Sequence, residues 1–234
     1  MSVHVMKKLL IAAAAVAGAV TASPVSATAR VLDFTGAAAC ELGACVTGGV
    51  IAQSYGDGVG VDVSYATFVF TGVPSVLNVR YWETGYGDLA GVIWAGTNQK
   101  DYFGRVTLTA LPGYEISLLS FDLATFSNQS ASSPILIQSL GGTGILAAAT
   151  DTLFPAHNHV VVDSGYFADG IALNWGPDSF NVGLDNIAFD VRAIAGTGVP
   201  EPTTWTMLIL GLAGLGGLVR RDARVRRFIA RAVA

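Results

Sequence analysis

Residues 181–191 read Asn-Val-Gly-Leu-Asp-Asn-Ile-Ala-Phe-Asp-Val. Taken in alternation, Val182, Leu184, Asn186, Ala188 and Asp190 fall on one side, and Gly183, Asp185, Ile187, Phe189 and Val191 on the other. That is the period of a β-strand. Residues 114–123, Tyr-Glu-Ile-Ser-Leu-Leu-Ser-Phe-Asp-Leu, alternate less cleanly. Ile116, Leu118, Ser120 and Asp122 share one parity, and Glu115, Ser117, Leu119, Phe121 and Leu123 the other. An imperfect alternation of this kind predicts a strand partly covered on both faces.

The same chemistry extends outward in both directions. The centre of the chain is rich in Val, Ile, Phe, Tyr, Thr, Gly and Ser, poor in Lys and Glu, and shows no helical period, which is strand composition. Further strands are expected at 31–34, 49–53, 61–70, 75–82, 91–95, 104–110, 135–140, 159–163 and 170–175. Turn-forming clusters separate them, among them Tyr55-Gly56-Asp57-Gly58, Gly85-Tyr86-Gly87-Asp88, Leu111-Pro112-Gly113 and Gly176-Pro177-Asp178. Short strands at this spacing, with no segment long enough for a crossover helix, predict an all-β domain: an antiparallel β-sandwich or jelly roll over residues 30–195.

The two ends read differently. Lys7-Lys8, the uncharged run 9–20 and small residues at Ala27 and Ala29 make a secretory signal peptide over 1–29, cut after Ala29. At the other end a linker over 196–202 contains Pro200-Glu201-Pro202. An uncharged stretch over 203–219 follows, with Trp205 near its start, then Arg220-Arg221 and a basic tail over 220–234. Seventeen residues of helix reach about 25 Å, short but sufficient for a bilayer core. The aromatic at one end and the arginines at the other suit the two interfaces. Between Arg30 and Val199 five basic residues stand against fifteen acidic ones, net −10, whereas from Arg220 onward six Arg stand against one Asp, net +5. This segregation predicts an acidic exported domain and a cytoplasmic tail. It also argues against nucleic acid as a partner, because a phosphate-binding surface needs clustered Lys and Arg.

A Pro-Glu-Pro motif, an apolar span and an Arg cluster in that order resemble the PEP-CTERM sorting signal of Gram-negative bacteria. In that signal the three parts are recognised by a membrane protease-transpeptidase, exosortase. The resemblance covers about residues 199–221. It implies that Pro200, Glu201, Pro202, Trp205, Arg220 and Arg221 are substrate residues of another enzyme. It further implies passage through the inner membrane with a periplasmic ectodomain, then release to the cell surface or the extracellular matrix. The tail departs from the pattern by continuing for thirteen residues, 222–234, past the arginines. A plain single-pass anchor is the other reading of the same segment.

The Leu-Asp-Asn-Ile run at 184–187 resembles the closing strand of exported β-sandwich ectodomains that carry this signal, and of galactose-binding-like jelly rolls. In the jelly rolls a carboxylate of the closing strand often joins one near the first strand in a structural calcium site. Carried over, this implies Asp185 with Asp33, and oxygen ligands in an acidic exported domain suit calcium. The alternative is that Asp185 and Asn186 bridge nearby backbone groups. No other cofactor is implied.

The two cysteines, Cys40 and Cys45, flank Gly43 and are expected to form a small-loop disulfide in an oxidising compartment. Tyr55-Gly-Asp57 and Tyr86-Gly-Asp88 echo one another, each placing an aromatic beside a carboxylate in a loop. Tyr55, Asp57, Tyr86 and Asp88 are therefore candidates for stacking and hydrogen-bonding a sugar of an exopolysaccharide, with Trp82, Trp94 and Trp175 as further platforms. The competing reading is turn chemistry for the loops and core packing for the tryptophans. His157 and His159 put two rings on one face of a strand, with Asp163 as the nearest further ligand in sequence and no pattern completing a metal set. No nucleophile elbow, P-loop or assignable carboxylate pair occurs, and no catalytic residue is expected. The sequence thus predicts a non-catalytic structural or interaction domain, with a carbohydrate-binding module as the alternative.

Overall fold

The protein is described by a computed structural model at residues 27–35, 38–69, 75, 77–98, 101–127, 131, 133–142, 156–195 and 206–212, and at 145–149 by its backbone. Eleven strands are present in this part of the chain: β1 (Thr28–Leu32), β2 (Val61–Val69), β3 (Arg80–Trp82), β4 (Val92–Trp94), β5 (Tyr102–Ala110), β6 (Tyr114–Thr125), β7 (Ile135–Ser139), β8 (Ile145–Ala149), β9 (Asn158–Val161), β10 (Gly170–Trp175) and β11 (Val182–Ala193). They form two antiparallel sheets. One runs β3-β4-β11-β6-β9 with β1 also on β11, and the other runs β2-β5-β10-β7-β8. The expected antiparallel β-sandwich is the fold.

β6 and β11, twelve residues each, form the spine of the six-stranded sheet. Their inward residues are Ile116, Leu118, Phe121 and Leu123 from β6, and Val182, Leu184, Ile187, Phe189 and Val191 from β11, all buried in one core. Parity flips once in each strand, between Leu118 and Phe121 and between Leu184 and Ile187. The pairing explains this: Asp185 faces Asp122 and Ala188 faces Ser120, then Phe189 faces Leu118. β11 thus inserts one residue at Asn186, whose φ is +50°, and β6 inserts one at Leu119. The two bulges cancel, so the register is restored and both strands keep their apolar residues inward. The imperfect alternation of 114–123 is the trace of a bulge.

The other sheet supplies Val63, Val106, Leu108, Ile135, Ile137, Ile171, Leu173 and Trp175 to the same core. Gly104 lies directly opposite Trp175 on β5, and a Cβ there would come within 2.2 Å of the indole. Only glycine leaves that ring room. Burial of such side chains, at about 1.5–3 kcal/mol each, is what holds the sheets together.

Several segments differ from expectation. Residues 49–53 form no strand. Their hydrogen bonds are divided, Ile51 N–H donating to Val79 O at 3.1 Å on one side and Ala52 N–H to Ala39 O at 2.9 Å on the other. The 75–82 strand is reduced to Arg80–Trp82. β8, Ile-Leu-Ala-Ala-Ala, was not expected, because alanine has little strand preference; it forms by pairing along the edge of β7. The expected signal peptide lies outside the described residues up to 26, while Thr28 and Ala29 already pair with Val191 and Asp190. Of the expected span 203–219, residues 206–212 are helical. Among the described residues no helix is long and apolar enough to cross a membrane.

Candidate functional site

The outer face of the five-stranded sheet carries a groove. Outward positions alternate with the core residues of β5, β10 and β7, which places Phe103, Arg105, Asn174, Leu136 and Gln138 side by side. Arg105 faces Asn174 across β5 and β10, and Asn174 faces Leu136 across β10 and β7. The polar groups hold one another in place: Arg105 Nε donates to Asn174 Oδ1 at 2.5 Å, and Asn174 Nδ2 donates to Leu136 O at 3.0 Å. The guanidinium lies 4.4 Å from the centroid of the Phe68 ring, a cation–π contact. A cavity of about 640 Å³ opens here, bounded by Phe68, Phe103 and Pro177 as well as by the polar residues. A second, of about 230 Å³, continues it past Arg105 and Gln138 toward Leu140. An apolar floor with a few fixed planar donors and acceptors is the usual make-up of a small-molecule or sugar site. The reading from sequence missed this groove, because its residues come from four strands and share no motif.

The residues singled out from the sequence lie elsewhere. Cys40 and Cys45 form the expected disulfide, with Cα atoms 5.2 Å apart and Gly43 between them at φ +99°. The two Tyr-Gly-Asp turns do echo one another, but as braces. The Tyr55 hydroxyl donates to Asp33 O and the Tyr86 hydroxyl to Phe180 O. Tyr86 is 2% exposed and has no face to offer a sugar. Asp57 Oδ1 accepts the Val63 N–H at 2.7 Å, and Asp88 Oδ1 accepts the His157 N–H at 2.8 Å. Tyr55, half-buried, packs its ring on Phe34 with centroids 5.5 Å apart. Trp175 and Trp94 are buried, so they are not platforms. Trp94 and the half-buried Trp82 belong to an aromatic cluster with Tyr86, Phe126 and Phe180, which covers the outer face of the six-stranded sheet beside β4.

Asp185 binds the backbone of the residue after Asp33. β1 pairs with residues 187–191 of β11 and β4 with Leu184, so the chain leaving β1 passes Asp185 at the gap between them. There Asp185 Oδ1 accepts the Phe34 N–H at 3.3 Å, while Asp33 Oδ1 accepts Thr35 N–H at 2.9 Å and Thr35 Oγ1–H at 2.5 Å. Burial above all pushes the Asp185 carboxyl up to about 6. The backbone N–H groups of Asn186 and Phe34 pull it down, and the charges of Asp33 and Asp122 raise it further. Asp185 thus bridges backbone beside Asp33, and the two carboxylates are near enough for the charge of Asp33 to raise Asp185. Among the described residues no group of three or more His, Cys, Asp or Glu is arranged to hold a metal ion. The sorting residues Pro200, Glu201, Pro202, Trp205, Arg220 and Arg221 lie outside the described residues.

The chain carries a PEP-CTERM protein-sorting motif, matched over residues 198–227. That match is confined to the C-terminal segment and leaves the sandwich unassigned. Among curated proteins no sequence matches this chain. Three solved structures overlap it at low scores. The enzymatically active domain of the bacteriophage CBA120 tailspike protein 4 is 14% identical, with a TM-score of 0.32 over 54% of this chain, which spans only 19% of that domain. A family 29 carbohydrate-binding module, in a mutant form complexed with mannohexaose, is 13% identical, with a TM-score of 0.31 over 55% of this chain and 92% of the module. A second structure of the family 29 module is 13% identical, with a TM-score of 0.30 over 55% of this chain and 88% of that one. At such scores these overlaps carry no functional assignment.

Proposed function

We propose that this is an exported, non-catalytic surface or matrix protein. Its signal peptide takes it through the inner membrane, its C-terminal helix holds it there, and exosortase processes it near Pro200-Glu201-Pro202. The observation that carries this reading is the sorting motif at 198–227, which begins a few residues after β11 ends at Ala193. A folded exported domain is thereby joined by a short linker to its address. Replacing Pro200, Glu201 and Pro202 together by alanine is expected to leave full-length protein in the inner-membrane fraction. An unchanged size and amount in the surface or extracellular fraction, followed by immunoblot, would refute the reading.

A second observation favours a carbohydrate-binding role for the domain. It is the groove over Phe103, Arg105, Gln138 and Asn174, in place of the Tyr55 and Tyr86 loops. Planar amide and guanidinium groups hydrogen-bond sugar hydroxyls, and a Phe face stacks on a pyranose ring. The exopolysaccharide that such surface proteins meet is the ligand this chemistry fits. On a glycan array, binding is expected to fall at least tenfold in Phe103→Ala and Arg105→Ala, about 1.4 kcal/mol or more, and to be unchanged in Asp57→Asn. Absence of binding to any polysaccharide, with the sandwich folded by circular dichroism, would remove this role and leave the delivery reading intact.

A further inference from the structure

His159 lies in β9 and His157 immediately before it, so both rings rise from the outer face of the six-stranded sheet. Asn158 between them faces Leu123, a core residue, across β6. Each ring is held at the same nitrogen. His157 Nδ1 is 2.9 Å from Asp88 Oδ1, and His159 Nδ1 is 2.6 Å from Asp122 Oδ1. Both carboxylates are themselves fixed. Asp122 is buried and its Oδ2 accepts from Asn186 Nδ2 at 2.8 Å; Asp88 also accepts the His157 backbone N–H. These partners are distant in sequence, and Asp163, the nearest acid along the chain, is not one of them.

A carboxylate accepts a hydrogen bond, so the proton of each neutral ring sits on Nδ1 and the lone pair on Nε2. Metal-binding histidines are oriented in this way in most known sites: a carboxylate on one ring nitrogen and the cation on the other. The side chains are 34% and 55% exposed, which leaves the cation a path from solvent.

We propose that Nε2 of His157 and Nε2 of His159 together bind one borderline divalent cation, Cu(II) or Zn(II). Asp88 and Asp122 act as positioning residues, and water fills the remaining coordination positions. Imidazole pairs suit these metals, whereas calcium and magnesium take oxygen ligands. Asp122 and Asp88 bring two negative charges behind the rings, and Asp185 stands opposite Asp122 in the ladder, so a dication meets a favourable field. With only two protein ligands the site is an open one of modest affinity, unlike a closed structural zinc site.

The chain has three histidines, and the third, His4, is replaced by alanine in every sample so that only His157 and His159 offer imidazole. The full chain, purified with a histidine-free tag and stripped with EDTA, is titrated with Cu(II) by calorimetry and by electron paramagnetic resonance. Expected are one equivalent of Cu(II), superhyperfine splitting from two nitrogens, and displacement by Zn(II). His157→Gln and His159→Gln, near in size to the native residue, should each weaken uptake at least tenfold and remove one nitrogen from the spectrum. Asp88→Asn and Asp122→Asn should weaken it by about tenfold with both nitrogens retained, a signature that loss of folding does not give. Copper uptake of undiminished affinity in the folded double variant H157Q/H159Q would overturn the proposal, as would no uptake by the native chain at millimolar Cu(II).

Discussion

Asp185 and Asp122 face one another on neighbouring strands, an arrangement that is unfavourable while both carboxylates are charged. Burial above all raises the Asp185 carboxyl to about 6, and the charges of Asp33 and Asp122 add to the rise. A carboxyl whose folded value lies above its unfolded one, about 3.9, stabilises the fold fully below the unfolded value. That contribution is lost as pH rises through 6. Asp185→Asn keeps an oxygen for the Phe34 N–H and removes the titration. It is expected to melt higher than the native chain at pH 7.5, by about a few °C, with the gap closing toward pH 4 in melting curves recorded by circular dichroism. Calcium, added at pH 7.5 after EDTA treatment, separates the two readings of the site. A melting point raised in the native chain and unmoved in the variant supports a cation between Asp33 and Asp185; equal response of both refutes it. Asp33 and Asp185 came to notice through the resemblance to jelly rolls, with backbone bridging as the other reading. Asp122 did not, because its part depends on a bulge that sequence alternation blurs.

At the scale of elements, the paired bulges in β6 and β11 are the feature on which the rest of the sheet depends. They turn Asp122, Asp185 and Asn186 outward together and set the place where β1 ends and β4 begins along β11. Asn186 tolerates φ +50° better than most residues, since its short amide bonds locally. Asn186→Val puts a β-branched residue there and loses the bond to Asp122, an expected cost of about 2–3 kcal/mol. Asn186→Gly keeps the backbone and costs less. Urea denaturation of the two variants checks the order, and a valine variant as stable as the glycine one would mean that the bulge is not strained in this way. Strand existence was legible for most of the chain because apolar alternation is local. β8 and the divided 49–53 segment were not, since neighbouring strands and loops, not intrinsic preference, decide their pairing. The groove was hidden for a related reason: Phe103, Arg105, Leu136 and Asn174 become neighbours only through the order β5-β10-β7.

For the molecule as a whole, the cleavage after Ala29 expected from the sequence would remove the pairs of Thr28 and Ala29 and keep those of Arg30, Val31 and Leu32, the last of which is 3% exposed. A chain beginning at Arg30 is expected to melt within about 2 °C of one beginning at Thr28. One beginning at Asp33 should lose at least about 5 °C, because it uncovers the edge of β11 and empties the site of a buried leucine. Equal melting points for all three would show that β1 is dispensable. By itself the sequence determined the all-β class, the disulfide and the sorting motif, because each depends on composition, on spacing along the chain or on a contiguous signal. Tertiary structure alone decided which side chains act together: the His157–Asp88 and His159–Asp122 pairs, the Asp185–Asp122 ladder and the groove on the other sheet. Those contacts join residues tens of positions apart, and only the strand order of each sheet, with the two compensating bulges in the six-stranded one, brings them side by side.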